Sequence, residues 1–257
     1  MRRVDSFIEK GNSMNSKMGW DIARMLLWSL VVGFLFALSQ VVPLGVYAYL
    51  SEPHFSLNVL RGLMDKLSTN AFLMAITGMG SLLFLAPILV ALLRLRGSNV
   101  KAFFPMKVLD PKQFMLWIVV ATGWMYGQDY LMEMFKIVKI PDAMLNITYP
   151  DVFSKWLLVL GVGVMAPILE ELIFRGFLLK EFSYTFLGTS GAVVLTSLIW
   201  ALIHSQYDWV YLAIIFVTGL LFGIARVMSH SLLVPIVMHI LFNVSAAIEL
   251  YQIKGFL

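Results

Sequence analysis

The sequence predicts an all-α fold, a polytopic transmembrane helix bundle of seven or eight spans whose active site lies in the last four helices. The first observation behind this is composition. Of 257 residues, 60% are hydrophobic and 13% charged, against about 25% charged in an ordinary soluble domain, and the mean hydropathy is +0.85. So few charges cannot cover a soluble surface. The second is length: apolar segments able to cross roughly 30 Å of hydrocarbon recur at about 23–50, 70–95, 113–135, 155–179, 187–206, 209–229 and 232–253. The third is charge placement. Lysine and arginine sit in short connections rather than in a basic patch interleaved with aromatics, so the net charge of +4 reads as an orientation signal and no nucleic-acid partner is expected.

The segments justify themselves in order. Residues 1–20 mix Arg2, Arg3, Lys10 and Lys17 with Asp5 and Glu9 and lack an apolar run, so a retained cytoplasmic tail is expected rather than a cleaved signal. The tail region carries five basic residues up to Arg24, and the second connection five more (Arg94, Arg96, Lys101, Lys107, Lys112), whereas the first connection has only Arg61 and Lys66. With Arg175, Lys180 and Arg226 on the tail's side, that side is the cytoplasm. The connection around Lys139 to Asp151, with Pro141 and Pro150, is the longest on the other face. Only Ser205 to Asp208 separate the fifth and sixth segments, which predicts a tight antiparallel hairpin unless one of them enters the membrane part-way. No repeat and no linker divides the chain, so 1–257 is read as one membrane domain with its motif-bearing core at 155–253. The absence of cysteine removes disulfides, thiolate ligands and a cysteine nucleophile.

The polar residues inside these segments point to chemistry, because ionisable groups in hydrocarbon are costly and mark functional sites. Ala166 to Phe177 reads A-P-I-L-E-E-L-I-F-R-G-F. On a helix Glu171 and Arg175 stand four apart with the acid first, the order that favours an ion pair. Glu170 is turned about 100° away with no cation at a matching position on its own helix, and it is the candidate base. Pro167, lacking an N–H, is expected to bend the helix there and open water to the acid. His204 closes the run S-L-I-W-A-L-I-H, and V-P-I-V-M-H-I-L-F-N places His239 and Asn243 four apart on one face.

A carboxylate and an imidazole can deprotonate water, and an imidazole with a side-chain amide can stabilise an oxyanion, so the chemistry of the set is hydrolytic in outline. No G-x-S-x-G and no H-E-x-x-H is present. A scattered zinc set drawn from Glu170, His204 and His239 stays open. Two other classes compete with an enzyme: a non-catalytic immunity or scaffold protein that uses the polar cluster for helix packing, and a proton-coupled transporter, which the lack of an inverted repeat disfavours.

At these residues the sequence resembles the CAAX-protease and bacteriocin-processing family of intramembrane endopeptidases, also called the Abi family and including type II CAAX prenyl endopeptidases. Its three motifs appear in order as Glu170-Glu171-Leu172-Ile173-Phe174-Arg175, Trp200-Ala201-Leu202-Ile203-His204 and His239-Ile240-Leu241-Phe242-Asn243, across roughly the last hundred residues. The N-terminal half carries no motif. The resemblance implies that Glu170 and His204 activate the water, that His239 and Asn243 stabilise the oxyanion, and that Glu171 with Arg175 holds the first two in place. It also implies a membrane-bound or lipidated peptide as substrate and either no cofactor or a divalent metal such as zinc. Trp200 stands where the family most often has phenylalanine, and is expected to alter pocket shape more than chemistry. Simple alternating spans leave His204 about 10 Å from the level of Glu170 along the helix axis, so the fifth segment is expected to tilt, shift or end within the membrane, with its His204 end buried in protein. A multi-pass plasma-membrane protein of a prokaryote is the expected setting.

Overall fold

The computed structural model describes residues 2–51, 54–137 and 140–256, with side chains from Gly19 onward. The side chains of Arg2, Arg3, Lys10 and Lys17 in the tail, and Lys139 in the long connection, lie outside the described residues. The described residues are predominantly helical, and among them the only strand-like pairing is a single bridge between Asn70 and Thr148.

Eight principal helices follow one another: α1 (Arg2–Ser51), α2 (Leu57–Lys66), α3 (Ala71–Leu95), α4 (Pro111–Met134), α5 (Val152–Ser183), α6 (Gly188–Leu202), α7 (Trp209–Ser229) and α8 (Leu233–Ile253). Five of them, α1 from Gly19, α3, α5, α7 and α8, are long and apolar enough to cross a membrane. The two other expected spans differ from those five. Helix α4 has the length, at 24 residues, but carries Lys112, Asp129 and Glu133. Helix α6 has the apolar character but only 15 residues, a rise of about 22 Å. It falls short of a full bilayer and turns back at once into α7.

Local sequence explains the ends. Asn70 caps α3 by accepting from the Leu73 amide at 3.1 Å, and Asp110 caps α4 with Pro111 in its first turn. Asp151 and Ser154 form a reciprocal capping box on α5, which satisfies amides that would otherwise be orphaned. Helix α7 stops at His230, whose φ of 52° is the left-handed conformation that ends helices.

Helix α5 is not uniform. Val159–Met165 and Leu172–Leu178 are π-helical, and between them lies the α-helical Ala166–Glu171. Such wide turns are rare and concentrate at functional sites. The first of them lies against α3 with almost no gap: a Cβ on Gly161 would stand 2.5 Å from the Ala75 carbonyl oxygen, and one on Gly78 would stand 2.6 Å from that of Gly161. Glycine at both positions lets two backbones touch, as small residues do between membrane helices.

One large apolar cluster joins α1, α3, α5, α6, α7 and α8, with Phe177, Phe222, Leu85, Leu89 and Met238 fully enclosed. At one rim Arg96 pairs with the buried Glu181 and lies 4.7 Å above the Trp28 ring, tying α1, α3 and the end of α5 together. Lys254 bonds the carbonyls of Leu145 and Ile147 at 2.8 Å each, closing the connection after α4 onto the end of α8.

Candidate active site

The site is built on α5, α6 and α8, with α7 behind. Glu171 and Arg175 are both fully enclosed, and Nη1 of Arg175 donates to Oε1 of Glu171 at 2.8 Å, as their four-residue spacing predicts. Nη2 of Arg175 donates to the Gly219 carbonyl on α7 at 3.1 Å. A Cβ at Gly219 would approach that nitrogen to 3.2 Å and Trp200 to 3.0 Å, so glycine is what admits the guanidinium. The same guanidinium lies 4.6 Å above the Trp200 ring, an arrangement attractive to a cation.

Oε1 of Glu171 also receives Nδ1 of His239 at 3.0 Å. Because this carboxylate is paired with Arg175 it accepts, so Nδ1 carries the hydrogen. In the neutral ring this leaves Nε2 as an acceptor, and Nε2 stands 4.0 Å from Oε2 of Glu170. That gap suits a water molecule hydrogen-bonded to both. Glu170 is turned away from Arg175 as expected and keeps 15% of its side chain exposed, against none for Glu171.

Oε2 of Glu170 has a second partner. The indole Nε1–H of Trp200 donates to it at 2.6 Å. Tryptophan here therefore changes hydrogen bonding and not merely shape, which corrects the expectation formed from the sequence. The ring also meets His239 edge-on at 5.2 Å and His204 at 5.3 Å between centroids, so Trp200 is the hub through which the three motifs touch.

His204 and Asn243 are placed differently from Glu170 and His239. Nδ1 of His204 donates to the Trp200 carbonyl one turn back, at 2.8 Å, which leaves Nε2 as the acceptor in the neutral ring. The imidazole is half-buried between Trp200 and Tyr207, while Leu202 and Ile203 beside it are exposed. The end of α6 is thus an open rim rather than a site enclosed by protein. Asn243 donates from Nδ2 to the Val162 carbonyl at 3.0 Å. That carbonyl lies five residues before Pro167, and the preceding π-type bond runs from the Ala166 amide to the Gly161 carbonyl. Proline has no N–H to continue the series, so Asn243 occupies the acceptor that the proline leaves over and retains a second amide hydrogen.

Tyr207 escaped the sequence reading. Its ring stacks on His204 at 6.3 Å with a 12° tilt. Burial, followed by the charge of Glu170, raises its hydroxyl above the ordinary 10.0, partly opposed by a hydrogen bond with Gln206. The available signal was an aromatic residue three positions after the motif histidine, in a connection too short to lie far from it.

Among the described residues no three histidine, aspartate or glutamate side chains converge closely enough to hold a metal ion. Glu170 and His239 approach each other, and both His204 and His239 direct Nδ1 to an oxygen and keep Nε2 as an acceptor, the pattern of metal-ligating histidines, so the donor types suit a metal although the three are not gathered closely enough to hold one as arranged.

Comparison with known proteins bears on this site directly. Residues 152–245, which contain every motif residue, match the family described as Type II CAAX prenyl endopeptidase Rce1-like. The chain is 30% identical over 202 residues to UPF0177 protein YajF of Lactococcus lactis, covering 75% of this chain and 87% of that one. It is 33% identical over 87 residues to the membrane-embedded CAAX protease MroQ of Staphylococcus aureus, covering 32% of this chain and 34% of that protein. It is also 32% identical over 116 residues to an uncharacterized 24.3 kDa protein of Escherichia coli, covering 44% of this chain and about half, 48%, of that one. No solved structure matches the chain significantly.

Proposed function

The chain belongs to the CAAX-protease and bacteriocin-processing family of membrane proteases, and we propose that it is an intramembrane endopeptidase acting on a membrane-associated or lipidated peptide. The observation that supports this best is the environment of Glu170. Its carboxylate is oriented by the Trp200 indole at 2.6 Å and faces Nε2 of His239 across 4.0 Å, and it is partly exposed in a helix apolar enough to cross a membrane.

In the proposed reaction a water molecule donates one hydrogen to Oε2 of Glu170 and the other to Nε2 of His239. Glu170 takes a proton as the oxygen attacks the peptide carbonyl carbon. The second amide hydrogen of Asn243 is assigned to the resulting oxyanion. Nε2 of His204 is assigned to the substrate as an acceptor for a peptide N–H. When the C–N bond breaks, Glu170 returns its proton to the leaving nitrogen. Glu171 and Arg175 touch no substrate atom in this scheme; they fix the tautomer and orientation of His239. This division differs from that implied by family resemblance, because an oxyanion-donating His239 would need a second proton. No step is routed through a metal.

We place the reaction in a plasma membrane with the N-terminus cytoplasmic, as the basic residues favour. The test is cleavage of a quenched-fluorescent peptide ending in a farnesylated cysteine and three further residues by purified protein in nanodiscs. Glu170→Gln should abolish turnover while the melting temperature holds, and activity should survive chelation with metal content verified. Retained phenotype and stability in Glu170→Gln would instead support a scaffold whose polar cluster only packs helices. Loss on chelation with recovery on zinc would move the mechanism to a metal.

A further inference from the structure

A partly open pocket of ≈ 50 Å³ borders Glu170 with no histidine in its wall, lined by Gln40 and Phe36 of α1, Ser81 and Gly78 of α3, and Leu169 of α5. By general volume requirements that is room for about three waters. Two of its walls are polar although they come from the motif-free N-terminal half. Ser81 Oγ donates to the Ser39 carbonyl at 2.7 Å, and Nε2 of Gln40 donates to Ser81 Oγ at 3.1 Å and Ser39 Oγ at 3.3 Å.

This set does more than join two helices. Helix glue is complete with the serine hydroxyl and the backbone carbonyl alone. The added glutamine brings a second polar atom, Oε1, which takes part in none of the hydrogen bonds of the described residues and is not fully enclosed. An acceptor left unpaired in an apolar interior is costly unless water reaches it. Gln40, Ser81 and Glu170 each lie well inside their apolar spans, 11, 10 and 13 residues from the nearer end, so bulk water at a helix end does not account for that acceptor.

We propose that this cavity is the hydrated store from which Glu170 draws its nucleophile, and that Gln40 is the positioning residue that keeps it wet. The inference rests on the endopeptidase reading above. It adds that water approaches Glu170 from α1 and α3 while the peptide comes from the open rim at His204 and Tyr207. Separate routes explain how one carboxylate can be fed water while substrate covers its other side. The N-terminal helices, which carry none of the motifs, thereby become part of the machinery.

The experiment is radiolytic hydroxyl-radical footprinting of the full chain in nanodiscs, with water itself as the probe. Phe36 and Leu169 in the intact protein should label at least fivefold above Leu83, an exposed residue of α3. Gln40→Met, matched in size and helix propensity, should bring both to that background with the melting temperature unchanged, and Ser81→Ala, which frees the glutamine, should lower labelling severalfold. In the peptide assay Gln40→Met should reduce kcat about tenfold and leave KM unchanged. Background labelling in the intact chain overturns the proposal, as does labelling that persists in Gln40→Met, and either result stands whatever the cleavage assay shows. Should Gln40→Met fail to fold, the intact chain and Ser81→Ala decide. Failure of the protease reading shows separately, as turnover retained by Glu170→Gln.

Discussion

The indole N–H of Trp200 donates to Oε2 of Glu170 at 2.6 Å while the face of the same ring carries the Arg175 guanidinium at 4.6 Å. One side chain thus holds the candidate base and shields the cation that anchors its neighbour. The positive charge beside the ring also makes the indole a better donor to the carboxylate, since it draws electron density away from the N–H.

Trp200→Phe should separate these roles. Phenylalanine keeps a ring under Arg175 and loses the donor, and a hydrogen bond to a charged group is worth about 2 kcal/mol. If that bond orients Glu170 in the transition state, kcat should fall roughly 30-fold with a melting temperature close to that of the parent. Trp200→Leu should lose both activity and stability. Steady-state kinetics with parallel thermal melts read the difference, and undiminished kcat in Trp200→Phe would refute the orienting role.

The Glu171–Arg175 pair makes a prediction about stability. Both side chains are completely buried, and removing one partner leaves an uncompensated charge at a cost of about 3–5 kcal/mol. Arg175→Met should therefore melt far below the parent. Adding Glu171→Gln removes the stranded charge and should recover a large part of the loss, giving a double variant more stable than Arg175→Met alone. Activity should not return, because the neutral amide no longer fixes His239. A double variant as unstable as the single one would show that the guanidinium matters for its packing on Trp200 and the Gly219 carbonyl and not for its charge.

Tyr207 supplies a pH test. Burial raises its hydroxyl from the ordinary 10.0, a hydrogen bond with Gln206 opposes this in part and the Glu170 charge adds to it, so the folded state holds this proton more tightly than the unfolded chain. The resulting stabilisation is complete below pH 10 and fades as pH climbs through the raised value. The parent should lose melting temperature above pH 10 more steeply than Tyr207→Phe, and Glu170→Gln should narrow the difference by removing one cause of the shift. Differential scanning in detergent between pH 8 and 11 measures this, and parallel curves for parent and Tyr207→Phe would contradict it.

What the sequence determined by itself is local along the chain. The apolar runs specify helices that can span a membrane. The four-residue step from Glu171 to Arg175 specifies an ion pair within one helix, and the same step from His239 to Asn243 places both on one face; the structure bears out the pair and the common helix. Three motifs in order were enough to identify the family.

What only the tertiary structure decided is every contact that depends on the rotation and depth of one helix against another, which no spacing along the chain encodes. It brings His239 to Glu170, and leaves His204 just past the end of the short helix α6, bonded to the Trp200 carbonyl. It turns Trp200 from a filler into a donor. It assigns Asn243 to a carbonyl left over by Pro167, and sets Gln40 and Ser81 beside Glu170 across 130 and 89 residues of sequence. The physical reason is that an apolar helix carries almost no record of its rotational setting: leucine and valine faces are equivalent to lipid. Close packing at glycines such as Gly78, Gly161 and Gly219 selects among those settings, and the selection appears only once the helices are assembled.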